Sequence, residues 1–481
     1  MKTQPMEHQI KGEQLLASAP EYYALGAEQG TGKTRMLLGD AERKFERKEI
    51  DALFVIAPKG VHTNWVRREI PKHVSVPTQA VYWLSGGGKK RMAAVERLLR
   101  QEPGDELLVL TMNVDAVNTA AGFEVAQKFL KRYRVMMIVD ESQRIKNPAA
   151  GRTKRIHTLG ELAVSRRIAS GTLVANNPLD LFGQYEFLKP GLLGTTSFRA
   201  FTAEFADVLP AHHPLVREII ARTRGRGAPQ VIRRDENGTP VFRNLEKLRA
   251  LIAPHTYRVL KKDCLDLPEK IYQTHYFELT PSQRKLYEEV KADMRYMRED
   301  GTIDTFTALT AINKLRQVTS GFILVEGEAA HLDASARLSA LREALEDIEG
   351  QVIIWASFRE EIAQISAALK DTPHVQYHGG TSTAEREEAV DAFQRGDARV
   401  FIANPAAGGT GLTLTAANTA IYYSNSFSLE ERLQSEDRCH RIGTHAPVVY
   451  IDLVAQDTID ERIAAALQAK SLVAGQVLDG V

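Results

Sequence analysis

Short runs of apolar residues, separated by longer amphipathic stretches, constrain the fold of this chain most strongly. Five of these runs are rich in Val and Ile without polar alternation; they cover residues 52–57, 107–110, 135–139, 352–356 and 399–403. Such runs are typical of strands buried on both faces of a parallel sheet. Amphipathic stretches of helical length, such as residues 90–100 and 359–370, lie between them. The alternation predicts α/β layers joined by right-handed crossovers.

The alternating pattern occupies two blocks, at about residues 20–175 and 345–455 of the 481. The part between them is longer, helix-like and basic. Residues 217–262 hold twelve Lys or Arg and four Asp or Glu, although the whole chain carries a net charge of only +1. Its Gly-rich part, residues 222–240, is expected to be an exposed loop. The loop is either plain solvated surface or a patch that contacts phosphates.

Composition excludes several classes of protein. The two cysteines, Cys264 and Cys439, cannot form a disulfide framework. The first residues are polar and lack the apolar core of a signal peptide. No apolar run approaches the ~20 residues of a membrane span. We therefore expect a soluble protein inside the cell, with no membrane partner.

The stretch AEQGTGKT, residues 27–34, has the pattern of a phosphate-binding loop between a strand and a helix. Small residues let backbone N–H groups close around phosphate oxygens. In this pattern Lys33 reaches the β- and γ-phosphates and the Thr34 hydroxyl binds Mg²⁺. Ala27 stands where the general pattern has its first glycine, a departure from the strict motif.

A pair of carboxylates follows another buried strand about a hundred residues later. Asp140 is placed to hold Mg²⁺ through water at the carboxyl edge of the sheet, and Glu141 to polarise an attacking water as a general base. The alternative for an Asp-Glu pair in this position is a helix N-cap. The phosphate loop upstream favours the catalytic interpretation.

In chain order, these motifs and their neighbours resemble the Swi/Snf family of superfamily-two helicase-like ATPases. The other stretches that carry the resemblance are MEHQIKG (6–12), APKGVHTNW (57–65), TMNVDAV (111–117), SGTLVANNPLDLFGQYEFLKPG (170–191), LPEKIYQTHYFELTPSQRKLY (267–287), VIIWASF (352–358), NPAAGGTGLTLTAANTAIYY (404–423) and LQSEDRCHRIG (433–443). The carboxylate motif is DESQRIKN, in which Ser142 and Gln143 replace the Ala and His of the family. Thr444 replaces a glutamine that ends the last motif.

The resemblance implies an α/β fold of two RecA-like lobes, each a mainly parallel sheet flanked by helices, with helical insertions and a C-terminal helical brace. The first lobe is expected at residues 1–265, with a helical and basic insertion after about residue 190, and the second at residues 266–481. ATP would be hydrolysed between the lobes, and the resemblance implies ATP and Mg²⁺ as cofactors.

The resemblance also implies roles for individual residues. The catalytic group is Lys33, Asp140, Glu141, Arg438 and Arg441, with Thr34 and Asp140 as metal ligands. The ATP-binding group is Gln9, Glu28, Gln29, Gly30, Thr31, Gly32, Lys33, Thr34, Gly409 and Gly411. The coupling group is Gln143, Gly171, Thr172 and Gln434. The DNA-binding group is Lys59, Thr111, Asn113, Thr172 and Thr413, to which the charge pattern adds Arg222, Arg224 and Arg226.

Two further expectations concern side-chain placement. Arg438 and Arg441 are three residues apart, so on one helical turn both guanidinium groups would project to the same side. Trp65, Trp83 and Trp355 are expected to pack in the core rather than to stack on bases.

The function implied is an ATP-dependent DNA translocase that follows duplex DNA through its backbone with little sequence preference. The alternatives are a strand-separating, branch-migrating or annealing helicase of the same superfamily, and a nucleotide-dependent DNA clamp without sustained turnover. We expect a monomer in a bacterial or phage-infected cell.

Overall fold

The computed structural model describes residues 1–84, 89–222, 230–236, 238–299, 305–407 and 412–481. It divides into two compact units. Unit one comprises Met1–Leu265 and Lys470–Val481, and unit two comprises Asp266–Ala469. Among the described residues, no helix is both long and apolar enough to cross a membrane.

Unit one is built on a parallel sheet whose strands appear in the order β3-β4-β2-β5-β6-β1-β7. These strands are β1 (Tyr22–Ala27), β2 (Ala52–Ala57), β3 (Thr78–Tyr82), β4 (Leu107–Asn113), β5 (Val135–Asp140), β6 (Ser165–Ser170) and β7 (Thr256–Val259). Phe54 and Ile56 of β2 pack into the apolar core on one face, and Leu53 and Val55 into the core on the other. Burial on both faces explains why the strand lacks polar alternation.

Helices cover both faces of this sheet. They are α1 (Glu7–Ser18), α2 (Lys33–Glu46), α3 (Val61–Asn64), α4 (Ile70–His73), α5 (Lys89–Arg100), α6 (Ala120–Arg132), α7 (Gly151–Gly160) and α8 (Asp180–Leu188). A π-helical turn (Trp65–Glu69) joins α3 to α4, and the 3₁₀ turns Ala116–Asn118 and Ser142–Ile145 follow β4 and β5.

The segment after residue 190 contains the short helices α9 (Phe198–Phe205), α10 (Pro214–Arg222) and α11 (Leu245–Ile252), then a 3₁₀ turn (Ala253–His255) and, after β7, α12 (Lys261–Cys264). The described part of the basic stretch takes part in three isolated antiparallel bridges, Ala206 with Phe242, Val208 with Ile232 and Arg234 with Pro240. Arg224 and Arg226 lie outside the described residues.

Unit two contains a second parallel sheet, in the order β12-β13-β11-β14-β15-β8, and a small antiparallel pair, β9 with β10. Its strands are β8 (Lys270–Phe277), β9 (Phe322–Val325), β10 (Glu328–His331), β11 (Val352–Trp355), β12 (His374–Tyr377), β13 (Val400–Ala403), β14 (Thr419–Tyr422) and β15 (Val448–Ala455). Its helices are α13 (Pro281–Glu299), α14 (Thr305–Thr319), α15 (Ser335–Glu346), α16 (Arg359–Ala368), α17 (Thr383–Arg395), α18 (Leu429–Glu436) and the first part of α19 (Ile459–Leu478).

The predicted fold class is confirmed, because both units are parallel α/β sheets flanked by helices. The end of the chain differs from the expected second-lobe assignment. The last part of α19 groups with unit one, since Val477 and Leu478 are buried in its core and Arg258 forms an ion pair with Asp479 at 2.7 Å.

Candidate nucleotide site

The loop of residues 27–34 runs from the end of β1 into α2, as the sequence predicts. Gly30 and Gly32 have φ values of +87° and +89°, a left-handed conformation that glycine adopts without strain. Gly32 is the N-cap of α2, so a phosphate bound by the loop would lie at a helix N-terminus. Ala27 still belongs to β1 and is fully buried, so its methyl group serves the core and does not obstruct the loop.

The loop also brings Lys33 close to the segment after β6. The Lys33 ammonium donates a hydrogen bond to the carbonyl of Ala27 at 2.8 Å. A Cβ atom built on Gly171 would lie 3.6 Å from both Lys33 Nζ and the backbone nitrogen of Gln29. Gly171, predicted as a coupling residue, therefore lies against the predicted phosphate loop.

Helix α1 holds the loop from the other side. The Gln9 amide and the His8 imidazole both lie within hydrogen-bond distance of the Thr31 carbonyl, at 3.1 and 2.8 Å. The buried Thr31 hydroxyl donates to the carbonyl of Glu28 at 2.8 Å. Glu28 in turn accepts from the backbone of Lys261 at 2.6 Å. The predicted ATP-binding residues of unit one are thus one connected cluster, in which Thr34 is half-exposed next to Lys33.

Asp140 is buried at the end of β5, and both of its carboxylate oxygens accept hydrogen bonds. The backbone N–H of Glu141 donates to Oδ1 at 3.0 Å, and the indole N–H of Trp65 donates to Oδ2 at 3.1 Å. Burial, and then the neighbouring Glu141 charge, raise the pKa of Asp140 to about 6, although the charge of Lys33 opposes the shift. The ionised Asp140 carboxylate is therefore costly to hold in this buried position.

That donor set fits a magnesium ion. Mg²⁺ prefers oxygen ligands and is commonly held by one or two carboxylates together with substrate phosphates. The Asp140 carboxylate and the Thr34 hydroxyl supply such oxygens, and a cation would offset the electrostatic cost that raises the pKa of Asp140.

Glu141 has a left-handed backbone, with φ +52°, which is uncommon for a residue other than glycine. Its carboxylate accepts a hydrogen bond from the Gln143 amide at 2.9 Å. The Ser170 hydroxyl donates to the other end of that amide at 2.7 Å and accepts from the backbone N–H of Thr172 at 2.9 Å. The four residues form a hydrogen-bonded chain, named here the Glu141–Thr172 chain.

The residues predicted to contact DNA in unit one are not equivalent. Lys59 is exposed just beyond β2, and Asn113 is half-buried, with its side-chain oxygen accepting from the backbone of Ala116 at 2.7 Å. Thr111 is fully buried, and its hydroxyl donates to the carbonyl of His62 at 2.7 Å. A DNA contact by the Thr111 side chain is therefore wrong, because the hydroxyl is enclosed in the fold. Arg222 ends α10, and its side chain lies outside the described part.

In unit two the two arginines of the last motif do not share a helical turn. Helix α18 ends at Glu436, and Arg438 and Arg441 follow in turns. Beyond the helix, the carbonyl of Arg438 accepts a hydrogen bond from Leu414 N at 2.9 Å, and Gly443 has a φ of +102°. The expectation of one shared helical face is wrong.

The arginines also differ in exposure. Arg438 is 2% exposed, whereas Arg441 is half-buried and donates to the carbonyl of Leu412 at 3.0 Å. Gln434 lies within α18, and the carbonyl of Thr413 accepts from the amide of Gln394 at 3.0 Å. Gly409 and Gly411 lie outside the described residues.

Sequence analysis missed two members of the site. Ser170 was quoted only as the start of a motif, yet it links Gln143 to Thr172. Trp65 was assigned to core packing, which its 1% exposure supports, but its indole also bonds to Asp140. The signal for Trp65 was its place in the family-like stretch APKGVHTNW.

Two family models match this chain. The SNF2-related domain matches residues 8–321, and the helicase conserved C-terminal domain matches residues 336–443. An uncharacterized ATP-dependent helicase of Mycoplasma genitalium is 26% identical over 91% of this chain, and a putative ATP-dependent helicase/translocase of Bacillus subtilis is 27% identical over 94%. The chain spans 38% and 46% of the lengths of these two relatives.

A solved structure of the SWI2/SNF2 ATPase core of Sulfolobus solfataricus, in complex with dsDNA, is also similar. It is 23% identical, with a TM-score of 0.42, and the match covers 99% of this chain and 94% of that chain.

Proposed function

This chain belongs to the family of proteins with an SNF2-related domain, and from that premise we propose that it is a DNA-dependent ATPase that moves along duplex DNA. The observation that carries the proposal is the cluster in unit one. A phosphate loop with Lys33, a buried aspartate and a neighbouring glutamate meet at one edge of a parallel sheet. This combination suits hydrolysis of a nucleoside triphosphate.

Each group in the cluster has a distinct role in the proposed reaction. Lys33 brings a positive charge to the start of α2, where the helix N-terminus already favours phosphate. Asp140 provides a fixed carboxylate for Mg²⁺, and a bound Mg²⁺ would neutralise charge on the β- and γ-phosphates. Glu141 is the general base that orients and polarises the attacking water.

The Glu141–Thr172 chain connects the proposed general base to the backbone that follows β6. A change in the position of Glu141 alters the hydrogen bond to Gln143, and Gln143 is bonded to Ser170, which also holds the backbone of Thr172. The buried hydroxyl of Thr172 has no hydrogen-bond partner in the described part of the chain. We propose that the Glu141–Thr172 chain couples ATP hydrolysis to DNA binding through Thr172.

The arginines of unit two complete the proposal. Arg438 and Arg441 are proposed to stabilise charge on the transferring phosphate, which in phosphate-loop enzymes is worth ~10³–10⁵ in rate. We also propose that Gln434 takes part in coupling, and that Gly409 and Gly411 take part in ATP binding. Thr34 keeps its proposed part as a metal ligand.

The DNA substrate is supported by the names of relatives. One is named a chromodomain-helicase-DNA-binding protein 1-like from Danio rerio, 25% identical over 95% of this chain. We propose that Lys59, Asn113 and Thr413, together with the basic stretch, contact the DNA backbone. Binding should then weaken steeply with salt and depend little on sequence.

ATPase activity measured with duplex DNA, single-stranded DNA, RNA and no nucleic acid tests the proposal. We expect turnover to rise several-fold with duplex DNA. Lys33→Ala and Glu141→Gln should each abolish turnover, whereas DNA binding measured by fluorescence anisotropy remains. Equal turnover with and without nucleic acid would exclude the motor.

A strand-separating helicase is the second candidate, because the relatives from Mycoplasma genitalium and Bacillus subtilis are named helicases. Triplex displacement and duplex unwinding, run with the same protein and ATP, separate the two functions. Displacement of a triplex strand without duplex unwinding supports translocation. Release of single strands from a forked duplex favours the helicase.

A further inference from the structure

The three tryptophans of the chain are all buried, but their indole N–H groups have different surroundings. Trp65, Trp83 and Trp355 are 1%, 4% and 0% exposed. In the described part of the chain, the indole nitrogens of Trp83 and Trp355 have no hydrogen-bond partner. The indole nitrogen of Trp65 lies 3.1 Å from Asp140 Oδ2 and donates to it. One buried tryptophan is therefore directed at the carboxylate of the nucleotide site.

The sheet itself fixes the position of Trp65. Strand β2 lies between β4 and β5, so its end is next to the end of β5, where Asp140 lies. After β2 the chain turns at Gly60, with φ +89°, into α3 and the π-helical turn that begins at Trp65. The Thr111 hydroxyl at the end of β4 ties α3 down through its hydrogen bond to the carbonyl of His62. These contacts hold the indole ring in the apolar core to which Leu37 and Leu38 of α2 also belong.

The chemistry of the indole explains why this donor suits a metal-binding aspartate. An indole N–H only donates and carries no charge. It therefore fixes the orientation of the Asp140 carboxylate without neutralising it. An ammonium or guanidinium in this place would form an ion pair with Asp140 and compete with a divalent cation. Since the backbone N–H of Glu141 donates to the other oxygen, the carboxylate is oriented from both sides, and neither donor brings a positive charge that competes with a metal.

We propose that Trp65 is a positioning residue for the divalent cation that accompanies the nucleotide, acting through its hydrogen bond to Asp140. This inference rests on the proposed function, because it assumes that the loop of unit one binds a metal–nucleotide complex. It assigns to Trp65 a part in metal affinity in addition to its part in packing.

The first test compares Trp65→Phe with Trp83→Phe in the full chain. Phe keeps most of the buried ring and removes the N–H group. We expect Trp65→Phe to weaken Mn²⁺ binding in the presence of ADP about 10-fold, measured by electron paramagnetic resonance, as loss of a partner behind a metal ligand commonly does. The Mg²⁺ concentration that gives half-maximal ATPase activity should rise by a similar factor. Metal-free ADP affinity should stay the same.

Trp83→Phe removes an indole N–H that has no described partner, so Mn²⁺ affinity should equal that of the wild type. Equal Mn²⁺ affinity in the wild type and in folded Trp65→Phe would overturn the inference. Circular dichroism and the melting temperature establish that both variants fold.

A second measurement avoids substitution at position 65. In the variant Trp83→Phe/Trp355→Phe, the remaining tryptophan fluorescence, excited where tyrosine does not absorb, comes from Trp65. Because its indole is bonded to Asp140, paramagnetic Mn²⁺ added with ADP should quench this emission, whereas diamagnetic Mg²⁺ with ADP should not. Adding Asp140→Ala should abolish the quenching. Mn²⁺ binding without quenching would overturn the inference. A protein that shows the quenching but no ATPase activity would contradict the proposed function and leave the role of Trp65 intact.

Discussion

The amide nitrogen of Gln143 donates to the carboxylate of Glu141 at 2.9 Å, where the resembled family has a histidine. A glutamine amide neither gains nor loses a proton near neutral pH, so it orients the carboxylate through a neutral hydrogen bond. The Ser170 hydroxyl fixes which end of the amide faces Glu141, because it donates to the amide oxygen at 2.7 Å. Gln143 therefore acts as a bridge that holds the Glu141 carboxylate in a fixed orientation relative to Ser170.

Replacing this bridge should slow the chemical step. In Gln143→Ala the Glu141 carboxylate loses its donor, and a misaligned general base should lower kcat by about 10-fold, a part of the ~10²–10⁴ that general bases contribute. The KM for ATP should change less than about two-fold, since the loop contacts stay intact. Steady-state ATPase assays measure both. Gln14→Ala, on the exposed side of α1, is the control and should match the wild type. An unchanged kcat in Gln143→Ala would show that Glu141 needs no orienting partner.

Ser170→Ala tests the other end of the Glu141–Thr172 chain. The substitution removes the donor to Gln143 and the acceptor for the backbone of Thr172. We expect DNA-stimulated turnover to fall about 10-fold and basal turnover to fall less than about three-fold, as for loss of transition-state alignment. Ser18→Ala removes a serine that bonds only to carbonyls of its own helix among the described groups, and should leave both rates unchanged. Equal losses of basal and stimulated turnover would contradict a coupling role.

Much of the fold was predictable from the sequence. Strand β2 could be recognised as a continuous apolar run, since Leu53 and Phe54 face opposite cores and neither face permits polar residues. The phosphate loop was predictable because Gly30 and Gly32 must adopt positive φ. Both features can be recognised from the residues of one short stretch, without knowledge of distant contacts.

Other features depended on tertiary contacts. Residue type alone does not distinguish the surroundings of Trp65 from those of Trp83. Only the pairing of β2 with β5 shows that the indole of Trp65 bonds to the Asp140 carboxylate. The spacing of Arg438 and Arg441 predicted a helical turn, but α18 ends at Glu436, and the carbonyl of Arg438 accepts a hydrogen bond from the distant Leu414 N. The hydroxyl of Thr111 could not be recognised as a structural donor before the position of α3 was known.

A buried ion pair joins the helix of the phosphate loop to the strand that ends at Ser170. Arg167 of β6 donates to Asp40 of α2 at 2.9 Å, and both side chains are fully buried. Arg167→Ala leaves the Asp40 carboxylate buried without its partner, which should cost about 3–5 kcal/mol of the free energy of unfolding of unit one. Urea denaturation of the full chain measures the loss. Arg134→Ala breaks the more exposed pair with Asp51 and should cost much less. Similar losses in the two variants would contradict the importance of burial.

The buried histidine His157 should make unit one sensitive to mild acid. Burial lowers the pKa of His157, although its bond to the carbonyl of Gly183 at 2.8 Å and the charge of Glu161 oppose the shift. Below the unfolded value of about 6.5, the unfolded chain takes up a proton before the folded one does. The contribution of His157 to the stability of unit one should therefore be fully present above about pH 6.5 and should be lost as the pH decreases.

The measurement is urea denaturation between pH 5 and 7, taken as the difference between the wild type and His157→Gln. The glutamine keeps a donor for the carbonyl of Gly183 and cannot titrate, so its stability should depend less on pH in this interval. His212→Gln, at an exposed histidine, should retain the wild-type profile. A wild-type profile in His157→Gln would assign the acid sensitivity to other groups.

The contact between Gly32 and Gln9 makes a prediction about nucleotide affinity. A Cβ on Gly32 would lie 2.3 Å from the Gln9 amide nitrogen, at a backbone φ of +89°. Gly32→Ala should therefore carry the backbone strain of ~1–2 kcal/mol and also displace Gln9 from the Thr31 carbonyl. We expect the Kd for ADP to rise at least 10-fold, which isothermal titration calorimetry measures.

A double-mutant cycle separates strain from collision. If the collision with Gln9 weakens binding, Gly32→Ala/Gln9→Ala should bind ADP more tightly than Gly32→Ala alone, because the truncated side chain makes room. Gly30→Ala is the matched control, since Gly30 has φ +87° but nothing within 4 Å of a Cβ. The effects of Gly30→Ala and Gln9→Ala should then add. Additive effects for the Gly32 pair as well would mean that backbone strain alone governs the loop, and that Gln9 does not constrain its shape.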